Sequence, residues 1–542
     1  MWAWIFVGCT ANTLALLAIA LRDAAKPLRA LSWVVMGLVL PGLVPLAYWV
    51  LSRPLRLQSS LMGANTLKRG LSREISESVS LPSPCSGQTF CAGGAERPLT
   101  EAAKLALDSY SSLEIALQRA VTHWTGQPPS AGEVRLFFAG TDTYESLLLA
   151  LSQAYRSIQI EYYIFRDDVI GRQITEVLSR QSQTGVRVQF LRDGLGSRAF
   201  PRAQVNRLQK AGVACRNFFP LHFPWLQPTL NHRDHTKIVV IDGDMAFTGG
   251  MNVGNEYTGA KLGPWRDTHL ALRGPASREL ATVFAAHWQM ATREPEFSSS
   301  RTEPSPATLR RDRLAQARWA REWGPDRWQT HSLAHGEWSA ELAQVTNPPA
   351  CSGSDSSIWY PAVIQVVHSG PWAPVQSVRE LYFLCLTLAQ RRVDITTPYF
   401  APNVDLVMAM KTAVARGVKV RLLVPEKPDH RLIDLASRTY YEELLEAGVE
   451  VFVYQRGLLH AKGMTVDERL AVLGAANLDM RSFRLNFEVC TVLYSEAVAK
   501  RLGEQFQTDL QGAIPLPMEN LRNRGPAVRV AQRAARLLIP LL

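Results

Sequence analysis

"NHRDHTKIVVIDGDMAFTGGMN" (231–252) sets His235, Lys237 and Asp242 at fixed spacing and closes on Gly249, Gly250 and Asn252. The arrangement returns 225 residues later in "LHAKGMTVDERLAVLGAANLDMRS" (459–482), with His460, Lys462, Asp467, Gly474 and Asn477. A strand turns alternate side chains to opposite faces, so each His and its Lys share a face. One copy supplies an imidazole beside an ammonium. Two copies, brought together by a pseudo-twofold, supply two of each around one pocket. Such a pocket suits a phosphodiester: the lysines neutralise the non-bridging oxygens, one His attacks phosphorus, and the other protonates the leaving alcohol. Asn252 and Asn477 offer amides to the phosphoryl oxygens. Asp242 and Asp467 complete the motifs, but five residues past the Lys they fall on the opposite strand face. They are expected to brace backbone or a basic neighbour.

The flanking elements repeat in the same order. "SIQIEYYIF" (157–165) reads as a strand, followed by a helix and the strand "TGVRVQFLRD" (184–193). "RVDITTPYF" (392–400), a helix over 405–416 and "RGVKVRLLVP" (416–425) match them. Helices ending in "LQKAGVACRNF" (208–218) and "LLEAGVEVFVY" (444–454) put Gly212 and Gly448 where a left-handed stop precedes a strand. Strands alternating with helices, doubled, predict two tandem α/β domains of one fold, over 123–295 and 346–515. The polar stretch 53–122 reads as a linker, and the Arg-, Trp- and Pro-rich stretch 296–345 as a connector.

The rest of the chain bounds the setting. Its 542 residues include 48 Arg and 11 Lys against 48 acids, a net charge of +11 that suits nucleic acid or anionic lipid. "MWAWIFVGCTANTLALLAIAL" (1–21) and "LSWVVMGLVLPGLVPLAYWVL" (31–51) carry no charged side chain and predict a two-helix transmembrane hairpin over 1–52, with spans of about 2–21 and 31–51. The first lacks the positive start and short apolar core of a cleavable signal. Three basic residues in the hairpin loop (Arg22, Lys26, Arg29) against five just after it (Arg53, Arg56, Lys68, Arg69, Arg73) favour a cytoplasmic body. The seven scattered cysteines form neither a zinc spacing nor a disulfide framework. No metal or other cofactor is expected. Two features point to lipid: the apolar loop "NFFPLHFPWLQP" (217–228), and a basic tail helix within 516–542 that sets Arg529, Arg533 and Arg536 on one face. The tail equally suits a solvated helix, and the loop a packed lid.

At the two motifs the sequence resembles the phospholipase D superfamily, whose signature is His-x-Lys-x4-Asp-x6-Gly-[Gly/Ser]-x-Asn. The first copy matches throughout; the second has Ala475 where a hydroxyl residue is usual. A closer resemblance is to the bacterial cardiolipin synthases, carried by the hairpin, "YYIFRDDVIGR", "WRDTHLALRGP", "TTPYFAPN" and "NLDMRSFRLNFEV". The resemblance implies metal-independent transfer of a phosphatidyl group between two phosphatidylglycerols, at a bacterial inner membrane, with no nucleic-acid partner. It implies His235 as nucleophile and His460 as general acid/base. It also implies that Asp267 and Glu488 orient the histidines, each expected to pair with the His of its own domain. A membrane-bound phospholipase D giving phosphatidic acid is the alternative, and a nuclease a more distant one. The oligomeric state stays open.

Overall fold

The computed structural model describes residues 2–22, 27–43, 45, 48, 112–220, 231–259, 265–292, 358–371, 373, 375–428 and 430–539. The linker up to 111, the connector and most of the 217–228 loop lie outside them. Helices α1 (Trp2–Arg22) and α2 (Pro27–Val39) pack side by side through Leu16, Ile19 and Trp33, with Tyr48 in the same cluster. Asn12 ties the pair together: its Nδ2 donates to the Gly37 carbonyl (3.2 Å) and its Oδ1 accepts from the Gly42 amide (3.0 Å). The second helix stops at Val39, short of the 31–51 run expected, because Pro41 ends its hydrogen bonding and Gly42 turns left-handed (φ +80°). Among the described residues no helix is long and apolar enough to cross a membrane.

Helix α3 (Ser112–Thr125) overlaps the end of the expected linker. It belongs to the second half, where Leu113, Leu117 and Val121 join the hydrophobic core and Glu114 takes both Nε and Nη2 of Arg469 at 3.2 Å.

The first repeat contains strands β1 (Ser130–Phe137), β2 (Ser157–Tyr162), β3 (Arg187–Asp193), β4 (Ala214–Phe218), β5 (Arg233–Asp234), β6 (Lys237–Ile241), β7 (Met245–Gly249) and β8 (His269–Arg273). Helices α4 (Gly140–Ser152), α5 (Val169–Gln183), α6 (Arg202–Lys210) and α7 (Pro275–Thr292) complete it. The second contains β9 (Tyr360–Ser369), β10 (Arg392–Thr396), β11 (Phe400–Ala401), β12 (Lys419–Pro425), β13 (Glu450–Tyr454), β14 (Gly463–Val466), β15 (Leu470–Gly474), β16 (Leu478–Asp479), β17 (Asn486–Tyr494) and β18 (Ala513–Pro515). Its helices are α8 (Ser377–Leu388), α9 (Val404–Ala415), α10 (Arg431–Glu446), α11 (Met480–Arg484) and α12 (Glu496–Leu510), followed by α13 (Met518–Arg522) and α14 (Pro526–Leu538).

The main strands form one continuous sheet. Its order is β4-β3-β2-β6-β7-β8-β1 in the first half, then β9-β17-β15-β14-β10-β12-β13-β18 in the second. Reading outward from the β1/β9 seam, the first seven strands of each half occur in the same order, as a pseudo-twofold between them requires. The seam is antiparallel, from Ser130↔Ile364 to Val134↔Tyr360. Gly212 (φ +95°) and Gly448 (φ +91°) supply the left-handed stops before β4 and β13. The core between α7, α12 and the sheet mixes residues of both halves, including Leu280, Phe284, Leu473 and Leu502.

Candidate functional site

The lead-in to each motif hangs on the opposite half. β5 pairs in parallel with the start of β17, and the His235 amide donates to the Phe487 carbonyl at 3.0 Å. The second motif does the same: the His460 amide donates to the Arg266 carbonyl at 2.7 Å. Phe487 precedes Glu488, and Arg266 precedes Asp267. Each motif is therefore bonded to the residue just before the other half's carboxylate.

This crossing corrects the pairing expected from sequence. Glu488 lies at His235, with Nδ1 3.0 and 3.1 Å from its two oxygens. Asp267 lies at His460, with Nδ1 2.6 Å from Oδ2. The resemblance and the like position after each motif paired each acid with the His of its own domain, but the backbone bridges between halves decide the partner. Gly250 lets this happen for Asp267, since a Cβ there would stand 2.1 Å from Asp267 Oδ1. Both histidines are held at Nδ1 by a carboxylate, Lys462 Nζ lies 3.2 Å from His460 Nε2, and the imidazoles keep only 11% and 9% of their side-chain surface exposed.

Each lysine bonds the carbonyl of its own histidine. Lys237 Nζ donates to the His235 carbonyl at 2.7 Å and sits over the Tyr163 ring. Lys462 Nζ contacts the His460 ring and carbonyl and lies 3.5 Å from Asp267 Oδ2. Aromatic walls surround the imidazoles: Tyr163 at 5.0 Å from His235, and Trp265 and Tyr257 at 5.3 and 6.1 Å from His460. Motif reasoning missed Tyr163, Tyr257 and Trp265, although Tyr163 and Trp265 stand in the quoted stretches. Nothing in one-dimensional spacing marks an aromatic as a wall.

Burial and crowded cations set the electrostatics. Desolvation, then Lys237, Lys462 and His460, push the His235 imidazole well below its ordinary value. Charges from the second half thus act on the first histidine: the two motifs share one site. Burial, reinforced by Lys462, brings Lys237 down to about 7 against the pull of Glu488. Burial raises Glu488 to about 7. Burial would raise Asp267 too, but Lys462 and His460 outweigh it and keep its carboxyl below the usual range. For His460, burial and Lys462 lower the value while Asp267 opposes them. An ionised acid therefore backs His460, and an acid poised near neutrality backs His235.

The motif aspartates stand apart from this chemistry. Asp242 accepts the amides of Tyr155, Arg156 and Ser157, and Asp467 those of Gln390, Arg391 and Arg392, all within 2.7–3.1 Å. Asn252 is likewise engaged: Oδ1 accepts from the Ile164 amide and Nδ2 donates to the Tyr257 hydroxyl (3.2 Å). Asn477 is buried beside the second motif, with its Oδ1 unpartnered. Phe218 and Phe219, from the apolar loop, pack on Phe487 at 5.0 and 5.9 Å. Phe223, Trp225 and Leu226 lie outside the described residues.

Two His–Lys pairs with crossed carboxylates, at the seam of a duplicated α/β sheet, define an enzyme of the phospholipase D type that transfers phosphatidyl groups. Comparison with known proteins narrows the class. The family described as "Cardiolipin synthase, PLD-like domain" matches residues 147–288 and 383–510. A cardiolipin synthase of Geobacillus sp. (strain WCH70) is 36% identical over 426 residues, covering 78% of this chain and 75% of that one. Cardiolipin synthase A of Pseudomonas aeruginosa (strain LESB58) is 36% identical over 428 residues, covering 78% and 76%. The chain belongs to the cardiolipin synthase family. Phosphatidylserine synthase of Haemophilus influenzae Rd KW20 has a similar fold (TM-score 0.55, 14% identity), matched over 79% of this chain and all of that one.

Proposed function

We propose that this protein is a cardiolipin synthase that joins two phosphatidylglycerols at a bacterial cytoplasmic membrane. The observation that carries the reading is the pair of motif imidazoles, each backed at Nδ1 by the other half's carboxylate. His235 Nε2 attacks the phosphorus of the first phosphatidylglycerol. The bond to the headgroup glycerol breaks, and His460 gives that glycerol oxygen its proton. A phosphatidyl-His235 remains. The headgroup hydroxyl of a second phosphatidylglycerol then gives its proton to His460 and attacks phosphorus, releasing His235 and cardiolipin. Lys237 and Lys462 balance the charge on the non-bridging oxygens. Asn252 instead holds Ile164 and Tyr257 in place, and Asp242 and Asp467 keep the motif turns in place.

Membrane attachment rests on the hairpin. Leu14, Leu17, Leu21 and Leu38 are more than half exposed, an apolar exterior that water would not favour. We read it as a transmembrane anchor with both catalytic halves on the cytoplasmic side. Helix α14 contacts α2 and turns Val530, Leu537, Arg529 and Arg533 outward, as suits an anionic lipid surface. Arg536, expected on that basic face, instead pairs with Glu443 and stacks on Tyr440.

The test uses the purified full chain in vesicles of headgroup- and acyl-labelled phosphatidylglycerol. Cardiolipin and free glycerol should form in equal amounts. Phosphatidic acid as the main product would instead make water the acceptor and the protein a hydrolase.

A further inference from the structure

Behind the first motif lies a group of acids that the reaction above does not use. Glu161 of β2, Asp234 of β5 and His287 of α7 are buried, with their ligand-type atoms within 4.8 Å of one another. Thr236 joins them, with Oγ1 2.6 Å from Asp234 Oδ1 and 2.9 Å from Glu161 Oε1. His287 Nδ1 lies 2.6 Å from Glu161 Oε1. The remaining oxygens, Glu161 Oε2 and Asp234 Oδ2, are buried with no other donor, and the two carboxyl groups also hydrogen-bond each other directly.

Counting hydrogens fixes the chemistry. A threonine hydroxyl has one hydrogen and can donate to one acceptor. Here it bonds two carboxyl groups at once, so one of them must donate to the hydroxyl oxygen and carry a proton. A nitrogen–oxygen distance of 2.6 Å is likewise a charge-assisted hydrogen bond. It is too short for two ligands on the corners of one metal ion, which stand about 3 Å or more apart at the usual metal–ligand lengths. The coherent assignment runs from the Asp234 carboxyl to the Thr236 hydroxyl to the Glu161 carboxylate, which also accepts from His287 Nδ1. Burial, then the neighbouring Glu161, raises Asp234 well above the carboxylate range, in agreement.

The chain surrounds one catalytic residue. Asp234 and Thr236 flank His235, and Asp234 Oδ1 also accepts the Thr236 amide at 3.1 Å, closing a turn across the histidine. The Asp234 amide is held by Asp193 Oδ2 at 3.0 Å. In the second motif the corresponding positions are Leu459, Ala461 and Thr396, which cannot form such a chain. We infer that Glu161, Asp234 and His287 hold one shared proton through Thr236, and that this buried chain positions His235 alone, making the two histidines of a near-symmetric site unequal. Asp234, Glu161 and Thr236 are positioning residues, since they act through His235 and do not face the substrate. The inference rests on the proposed role of His235 as nucleophile.

Loss of the shared proton would leave two buried carboxylates competing for one hydroxyl hydrogen and loosen the turn. The charged and titratable groups facing the chain are His287 and, beyond it, His368 of β9, with Lys237 from β6 and the Arg233–Asp193 pair beside Asp234. The test is the pH profile of kcat for the full-length protein on saturating phosphatidylglycerol, where bound phosphate holds Lys237 charged. In Asp234→Asn the side chain cannot ionise at any pH, while its Oδ1 still accepts the Thr236 amide. Its kcat should stay within about threefold of wild type at neutrality, and its alkaline limb should move to higher pH. Asp234→Ala and Thr236→Ala should each lose about tenfold in kcat with little change in KM. An alkaline limb in Asp234→Asn that is unmoved, or moved down because an ionised Asp234 had been supporting Lys237, overturns the inference. So does a stoichiometric metal ion in wild type that Asp234→Asn loses. A wild type that makes no cardiolipin fails the functional reading instead, so the two failures are told apart.

Discussion

At the scale of single residues, the crossed pairs make testable statements about charge. Glu488 must be ionised to support an imidazolium at His235, and Lys237 must be protonated to meet the phosphate, yet both sit at about 7. In the free enzyme kcat/KM should therefore rise as Glu488 ionises, fall as Lys237 loses its proton, and peak narrowly near neutrality. The residual activity of Glu488→Gln should lack the acid limb, which stopped-assay profiles from pH 5 to 9 would reveal. Lys237 also carries a stability cost. Its folded-state value lies below the unfolded one, so between about pH 7 and 10.5 the unfolded chain binds more protons, and wild-type stability should rise with pH across that window. Lys237→Met should remove this rise and stabilise the protein at pH 7 by roughly 2–4 kcal/mol while abolishing transfer. Denaturant melts at pH 7 and 9.5 measure both effects. A variant less stable than wild type at pH 7 would show that the buried ammonium is better compensated than its surroundings indicate.

Among elements, the turns after β6 and β14 explain why an aspartate ends each motif. Asp242 (φ +56°) and Asp467 (φ +54°) occupy the left-handed region, which aspartate tolerates better than most residues, and each carboxylate caps three amides at the start of a neighbouring strand. Removing the acceptor leaves those amides without their partner. Asp242→Ala should cost about 2–4 kcal/mol and lower Tm by several degrees. The loss of kcat per folded molecule should stay far below that of His235→Ala; an equal loss would place Asp242 in the chemistry. This brace was legible in the sequence, because strand periodicity sent Asp242 away from His235. The doubled strand–helix order and the glycine stops at Gly212 and Gly448 were legible for the same local reason. The His–acid partners were not. Asp267 and Glu488 could be picked out, but who meets whom depends on the bridges of His235 to Phe487 and of His460 to Arg266. These join residues about 200 or more positions apart, and no local pattern encodes them. Where helix α3 begins was not legible for a like reason: Arg469, which it pairs with, is far along the chain.

For the whole molecule, the seam matters more than either half. Strands β1 and β9 are hydrogen-bonded into one sheet, and α7 and α12 share a core across it. Each histidine depends on the opposite half for its carboxylate and for a backbone bond, so neither half holds a complete site. One chain, however, holds both halves in register. The protein should therefore work in cis, with one complete site per polypeptide whatever assembly it forms. Mixing two inactive full-length variants tests this directly. His235→Asn and His460→Asn, co-expressed in equal amounts and purified together through one common tag, should remain as inactive as either alone, because every chain still lacks one imidazole. If halves were exchanged between chains, so that the first half of one met the second half of another, some sites in the mixed population would regain both histidines. Random pairing would then return on the order of a quarter of wild-type transfer, since one site in two per mixed dimer would be whole and half the dimers mixed. Recovery at that level would mean that the β1/β9 seam forms between polypeptides, and that the single-chain site described here is assembled from two.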